Sequence, residues 1–228
     1  MAFTEMHATV NLMHSQGDRA LRQLWDLEPA PTRGPKARWT LFDVAAAGVG
    51  LADDVGLEAV SLARVADKLD IVTTAIYRYV DSKSTLIELM VDSAIGEPPE
   101  ITGTDWRERC RVWVTSLAAK YAEHPWLSDV RPTRMPTQPR AYAWIEALVT
   151  SIRGDVSEEP LRVALLLDSL IRAYASLGAT VGQSLPPEWL GAAIADRYPA
   201  LSDAARQGTS DSRAELDFAV EAVLRGVA

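Results

Sequence analysis

The chain of 228 residues has a single cysteine, Cys110. One thiol cannot form an intrachain disulfide, so nothing points to an oxidising compartment; Cys110 reads as a core thiol rather than a reactive one. No stretch approaches the roughly 18 apolar residues of a membrane span. The opening residues lack the charged, apolar, small-residue order of a secretory signal, and a cytoplasmic protein without a membrane partner is expected. His7, His14 and His124 have no metal-ligand spacing to one another. No serine-nucleophile elbow occurs. Gly48-x-Gly50-x-x-Asp53 lacks the third glycine of a dinucleotide loop and follows no strand. Enzyme readings therefore find no residues to rest on, and neither a metal nor a cofactor is expected. Internal repeats and strand-like segments are absent as well.

Positive charge is also in short supply. The net charge is -8, and residues 1–100 hold 9 Lys or Arg against 15 Asp or Glu. What basic charge exists is local. Arg33, Lys36 and Arg38 form one uninterrupted segment, and Arg64, Lys68, Arg78 and Lys83 lie close together in the sequence.

Apolar content of 48% supports a real core, and its spacing is helical. Thr40-x-x-Asp43 has the pattern of a capping box. Leu41, Val44, Ala45, Gly48, Val49, Ala52 and Val55 then share one face, with Gly56 as a stop. Ser61 can cap a second helix, in which Leu62, Val65, Ala66 and Leu69 recur at helical spacing. Asp70-Ile71-Val72 breaks the pattern. Thr73 or Thr74 can cap a third helix running from Val72 to Tyr79, with Ile76 and Val80 inward and Thr73, Thr74, Tyr77 and Arg78 outward. A further helix spans about 82–95, with Leu86, Leu89, Met90 and Ala94 inward, and Gly96, Pro98 and Pro99 end it. A bracing helix, a tight turn and a second helix with a polar outer face make a helix-turn-helix, whose second helix enters a DNA major groove.

Ile76-Tyr77-Arg78-Tyr79-Val80, then Ser82-Lys83 and Leu86-Ile87, resemble the recognition helix and following helix of the tetracycline-repressor (TetR) family of bacterial regulators. Leu41–Gly56 and Leu57–Leu62 are similar to that family's first helix and its entry to the second. The likeness is strong over about residues 33–100 and weaker beyond. Two departures stand out: Asp70 occupies a turn position where the family usually has glycine, and Val72 is apolar where a small or polar residue is common.

The expected fold is all-α: an extension over 1–32, a helix-turn-helix DNA-binding domain of three helices over 33–100, and a helical ligand-binding and dimerisation domain over 101–228. Residues 1–32 hold one amphipathic candidate near Ala20–Leu27, readable as a docked helix or as a mobile tail. In the C-terminal part, Trp106, Cys110, Trp113, Leu117 and Tyr121 form one stripe. Ala141, Trp144, Ile145, Leu148 and Ile152 form another. A long helix from about Glu158 to Gly178 or Gly182 carries Val163, Leu166, Leu167, Leu170, Tyr174, Leu177 and Val181. A short helix follows near Trp189–Tyr198, and the last runs from about Ser212 to Val227.

Candidate roles follow. Thr73 and Thr74 would meet base edges and thymine methyls, and Arg78 a base or a phosphate. The resemblance implies phosphate contacts for Ser61, Tyr77 and Lys83. Arg33, Lys36 and Arg38 would lie along the minor groove. Alternatives stand beside these: a core-edge aromatic at Tyr77, a solvated cation at Lys83, and a basic linker at 33–38. The resemblance also implies a small-molecule inducer pocket, with Trp113, Leu117, Trp144, Leu148, Leu167 and Tyr174 as candidate lining residues or simply core. Arg131, Arg134 and Arg140 would guard an anionic ligand or form a solvated loop. A homodimer is expected, because one half-site binds too weakly alone and a two-fold pair spaces two recognition helices by one turn of DNA. The helices at 158–182 and 212–227 are suited to form its interface, unless both stripes only fill the monomer core. Together these imply a ligand-released repressor on a palindromic double-stranded DNA operator. A helical protein-interaction module without DNA binding is the alternative, supported by the acidic N-terminal half.

Overall fold

A computed structural model describes residues 16–28, 38–131, 135–156, 159–181, 186–207 and 212–227. Among these residues there are eleven α-helices, two 3-10 turns and no strand. Two compact units form: Met1–Pro98 with Asp129–Glu146, and Pro99–Ser128 with Ala147–Ala228.

In the first unit α1 covers Gln16–Leu24, α2 Leu41–Val55, α3 Leu62–Lys68, α4 Thr73–Ile76 and α5 Lys83–Ile95. The capping box at the start of α2 is formed: Thr40 Oγ1 accepts from the Asp43 N–H at 3.2 Å, and Asp43 Oδ2 accepts from the Thr40 hydroxyl and N–H at 2.7 Å each. Those two bonds hold the Asp43 carboxyl below its ordinary pKa. Val44, Ala45, Gly48, Leu51 and Ala52 of α2 are buried, and α2 packs on α5. Gly48 permits the approach, since a β-carbon there would lie 2.7 Å from Met90 Sδ. Leu86, Leu89, Met90 and Ala94 of α5 point inward as their spacing implies.

The amphipathic candidate in the N-terminal extension is a docked helix. Ala20 and Leu21 of α1 are buried, and α1 packs against α5. Trp25 follows, donating from Nε1 to the Thr137 carbonyl at 2.7 Å and stacking tilted on Tyr142 at 5.7 Å.

The division of the chain is not a single cut near residue 100, because Asp129–Glu146 clusters with the N-terminal residues. Polar bonds account for this. Thr137 Oγ1 donates to Glu88, Arg140 pairs with Asp92 and Glu97, and Trp144 Nε1 donates to the Gly96 carbonyl at 2.9 Å. Arg140 is therefore committed within the first unit rather than guarding a ligand; Arg134 lies outside the described residues.

In the second unit α6 covers Trp106–Glu123, α8 Pro160–Val181, α9 Glu188–Arg197, α10 Pro199–Gln207 and α11 Ser212–Gly226; the division between units falls within α7, Pro139–Ile152. Asp105 caps α6 by accepting from the Glu108 N–H at 2.9 Å. Its stripe of Trp106, Cys110, Trp113, Leu117 and Tyr121 is buried, and so are Leu216, Val220 and Leu224 of α11. Helix α8 packs on both α6 and α11. Its buried face is Val163, Ala164, Leu167 and Ile171, whereas Leu166 and Leu177, grouped with them in the sequence, are about half exposed. Apolar residues on α8 occupy more than one face, so only part of them can point at a single core. Helix α10 was not expected from the sequence. Desolvation pushes the Cys110 thiol up to about 11, which makes it an unreactive core residue.

Candidate nucleic-acid interface and ligand cavity

The helix-turn-helix is built by α3, a tight turn and α4. Ser61 caps α3, its hydroxyl accepting from the Arg64 N–H at 3.3 Å. Val65 and Ala66 are buried. The turn closes as a Schellman motif: the Ile71 N–H reaches the Ala66 carbonyl at 3.0 Å and the Asp70 N–H the Asp67 carbonyl at 3.1 Å. Asp70 sits at φ 54°, the left-handed conformation that glycine supplies most cheaply.

The second helix is shorter than the expected Val72–Tyr79. Its α-helical part is Thr73–Ile76, followed by turn residues to Tyr79, with Tyr79 and Val80 N–H groups both bonding the Ile76 carbonyl at 2.9 and 3.1 Å. Neither threonine caps it. Val72 is the N-cap residue, extended (φ -67°, ψ 144°) like Thr40 and Ser61, and no side chain serves the helix end because valine carries no acceptor oxygen. The hydroxyls of Thr73 and Thr74 are thus not used by their own helix. Ile76 and Val80 are fully buried and fix the element, while Thr73, Thr74, Tyr77 and Arg78 are exposed together on its outer side. Arg78 has no ion-pair or hydrogen-bond partner among the described residues. Val72 is 70% exposed beside them.

The other cations of the motif are engaged. Lys83 Nζ donates to the Glu58 carbonyl at 3.2 Å, tying the start of α5 to the 3-10 turn Leu57–Ala59. This offsets the cost of a cation at a helix N-terminus. Arg64 donates to the Ala59 carbonyl at 3.0 Å, and Lys68 pairs with Asp54 at 3.6 Å. Arg38 lies over Trp39 and faces Asp70 at 3.7 Å, both charges well exposed. Arg33 and Lys36 lie outside the described residues.

A cavity of about 350 Å³ opens in the second unit between α6, α8 and the start of α11. Ala118, Tyr121, Ile171, Tyr174, Ala175 and Ser212 are among its lining residues. Of the six residues suggested from the sequence, only Tyr174 lines it. Trp113, Leu117, Leu148 and Leu167 are packed core, and Trp144 is held in the first unit by its bond to Gly96. Large rings fill space; Ala118, Ala122, Ala175 and Gly178, about one helical turn apart on two helices, leave it open. That spacing was the available signal. Among the described residues no group of His, Cys, Asp and Glu could hold a metal, and no helix is long and apolar enough to cross a membrane.

No protein-family model matches the chain. It is 34% identical over 189 residues to the helix-turn-helix transcriptional repressor DrrR1 of Streptomyces coeruleorubidus, covering 82% of this chain and 67% of that protein. It is 27% identical over 228 residues to a helix-turn-helix transcriptional regulator of Saccharopolyspora erythraea, covering 94% of each. Its fold is similar to that of a possible TetR family regulator from Streptomyces coelicolor A3(2), with a TM-score of 0.71, 20% identity, and coverage of 82% and 98% of the two chains. The TetR family protein ActR of Streptomyces coelicolor, solved in complex with actinorhodin, superposes with a TM-score of 0.68 at 23% identity, covering 83% and 95%. With an α3–turn–α4 motif anchored by buried Val65, Ala66 and Ile76, a polar outer face on α4 and these relatives, the chain belongs to the TetR family of helix-turn-helix transcriptional regulators.

Proposed function

We propose that this regulator is a cytoplasmic homodimeric repressor that leaves its operator when a small molecule binds the second unit. The observation that carries the DNA reading is the outer side of α4. Thr73, Thr74, Tyr77 and Arg78 stand exposed side by side on an element whose inner residues are fully buried. Threonine hydroxyls and methyls suit base edges, and Arg78 suits a base or phosphate. Ser61, Tyr77 and Lys83 serve the phosphate backbone in this reading, with Arg33, Lys36 and Arg38 in the minor groove. Lys83 would then exchange its Glu58 carbonyl for a phosphate oxygen.

Dimerisation is supported by exposed apolar residues on α8 and α11. Leu161, Leu165, Leu166 and Leu177 are each about half exposed and Phe218 is 67% exposed. Leu166, Ala173 and Leu177 recur along one side of α8. Such a face is suited to pack on its own copy as half of a four-helix bundle. Release follows from differential affinity: a ligand that prefers the state whose recognition helices no longer match the operator shifts the population to it. The complex of ActR with actinorhodin supports ligand control. Footprinting on the promoter regions flanking the gene tests the reading. Protection of two half-sites about one helical turn apart is expected, and a folded preparation that protects none overturns it.

A further inference from the structure

We propose that the cavity between α6, α8 and α11 takes a mainly apolar molecule carrying an acceptor oxygen, a ketone or a carboxylate, and that the Tyr121 hydroxyl donates to that oxygen. The proposal deepens the reading of ligand control and rests on it.

Tyr121 is 7% exposed and lines the cavity, yet its hydroxyl has no hydrogen-bond partner among the described residues. The hydroxyl is therefore open to the cavity, where an acceptor oxygen of a ligand can take the place of water. Burial pushes its pKa up to about 12, so it stays a neutral donor across the physiological range. Arg172 lies 6.0 Å from its ring.

The lining also argues against a cationic ligand. No Asp or Glu lines the cavity among the described residues; its polar lining residues are Tyr121, Tyr174, Ser212 and Arg213. The nearby carboxylates are already held, Asp168 by Arg172 at 2.8 Å and Asp217 by Arg213 at 3.3 Å. A cationic amine would find no free carboxylate, whereas an acceptor oxygen finds hydroxyls that can donate, with Arg213 itself already engaged by Asp217 and Thr115. The remaining wall is Ala118, Ala122, Ala175, Ile171 and Leu216, which suits a hydrocarbon or ring body. The volume of about 350 Å³ lies at the lower end of small-molecule pockets.

Calorimetric titration of the full chain with 2-naphthoate and with 2-naphthylmethylammonium tests this. The acid should bind at one site per chain and the ammonium should bind far more weakly. Tyr121→Phe should weaken the acid by roughly tenfold to a hundredfold, the value of one hydrogen bond to a charged acceptor, with an unchanged melting temperature. Ala175→Trp should abolish binding by filling the space; Ala118→Phe serves if that variant does not fold. Equal affinity in Tyr121→Phe, equal binding of the ammonium, or no heat from the acid at its solubility limit overturns the proposal. DNA is absent from this experiment. A chain that binds the acid but protects no operator therefore sinks the repressor reading alone, and one that protects an operator but ignores the acid sinks this one.

Discussion

Arg140 grips Asp92 twice. Its main-chain N–H donates to Oδ1 at 3.0 Å and its Nη1 to Oδ2 at 2.7 Å, while its Nε reaches Glu97 at 3.0 Å. Asp92 is 1% exposed. One residue of α7 thus carries both the charge and the backbone donor that a buried carboxylate on α5 requires.

Removing that cation has a pH-dependent cost. Burial raises the Asp92 pKa, against the opposing bonds from Arg140. The folded state then binds the proton more tightly than the unfolded chain. Stability from this group falls as pH rises through the folded pKa and is regained on acidification. Arg140→Met should cost about 3 kcal/mol near neutral pH by leaving the charge uncompensated. Urea unfolding should show the deficit shrinking on acidification as Asp92 protonates. A deficit that does not change with pH would contradict the assignment.

The turn of the helix-turn-helix can be tested at Asp70. Its positive φ disfavours any β-branched side chain. Asp70→Val should lower stability by about 1–2 kcal/mol, and Asp70→Gly should not lower it. The exposed pair with Arg38 contributes little, so its loss should not mask the result. Chemical denaturation curves decide; a Val variant as stable as the parent would mean that the turn relaxes to another conformation.

Base reading and backbone anchoring should separate by mutation. Thr73→Ala and Thr74→Ala should each reduce discrimination at neighbouring base pairs by about 1 kcal/mol, measured by titrating an operator and its single-base variants. Lys83→Ala should instead weaken binding to all of them and lower the salt slope by about one. Loss confined to one base position would rule out a phosphate role for Lys83.

The exposed leucines of α8 predict the oligomeric state. Light scattering on Leu166→Glu/Leu177→Glu should report a monomer where the parent reports a dimer, because two buried charges per chain would face their copies across the axis. Operator affinity should fall with it. A double variant that stays dimeric would place the interface elsewhere.

Local patterns were legible where neighbours in sequence decide the outcome. Thr40 with Asp43, Ser61, the stripe of α6 and the inward residues of α5 follow from i to i+3 and i+4 spacing alone. The length of α4 was not, since its N-cap position is Val72, which has no capping oxygen, and beyond Ile76 the chain passes into turn residues. The docking of α1 was undecided, because a short amphipathic helix is stable only against a partner, here α5. The open cavity was not legible from the aromatic residues, because a void is made by small side chains such as Ala118, Ala122 and Ala175.

By itself the order of residues determined most of the helices, though not α10 or the length of α4, together with the Asp70 turn and the outward face of Thr73, Thr74, Tyr77 and Arg78, all of which depend on contacts within one or two turns. Only the tertiary structure decided that Asp129–Glu146 joins the first unit, that Lys83 holds the Glu58 carbonyl, and that Tyr121 lines a cavity without a partner. Those depend on which buried polar groups meet across distant segments, and helical periodicity carries no record of that.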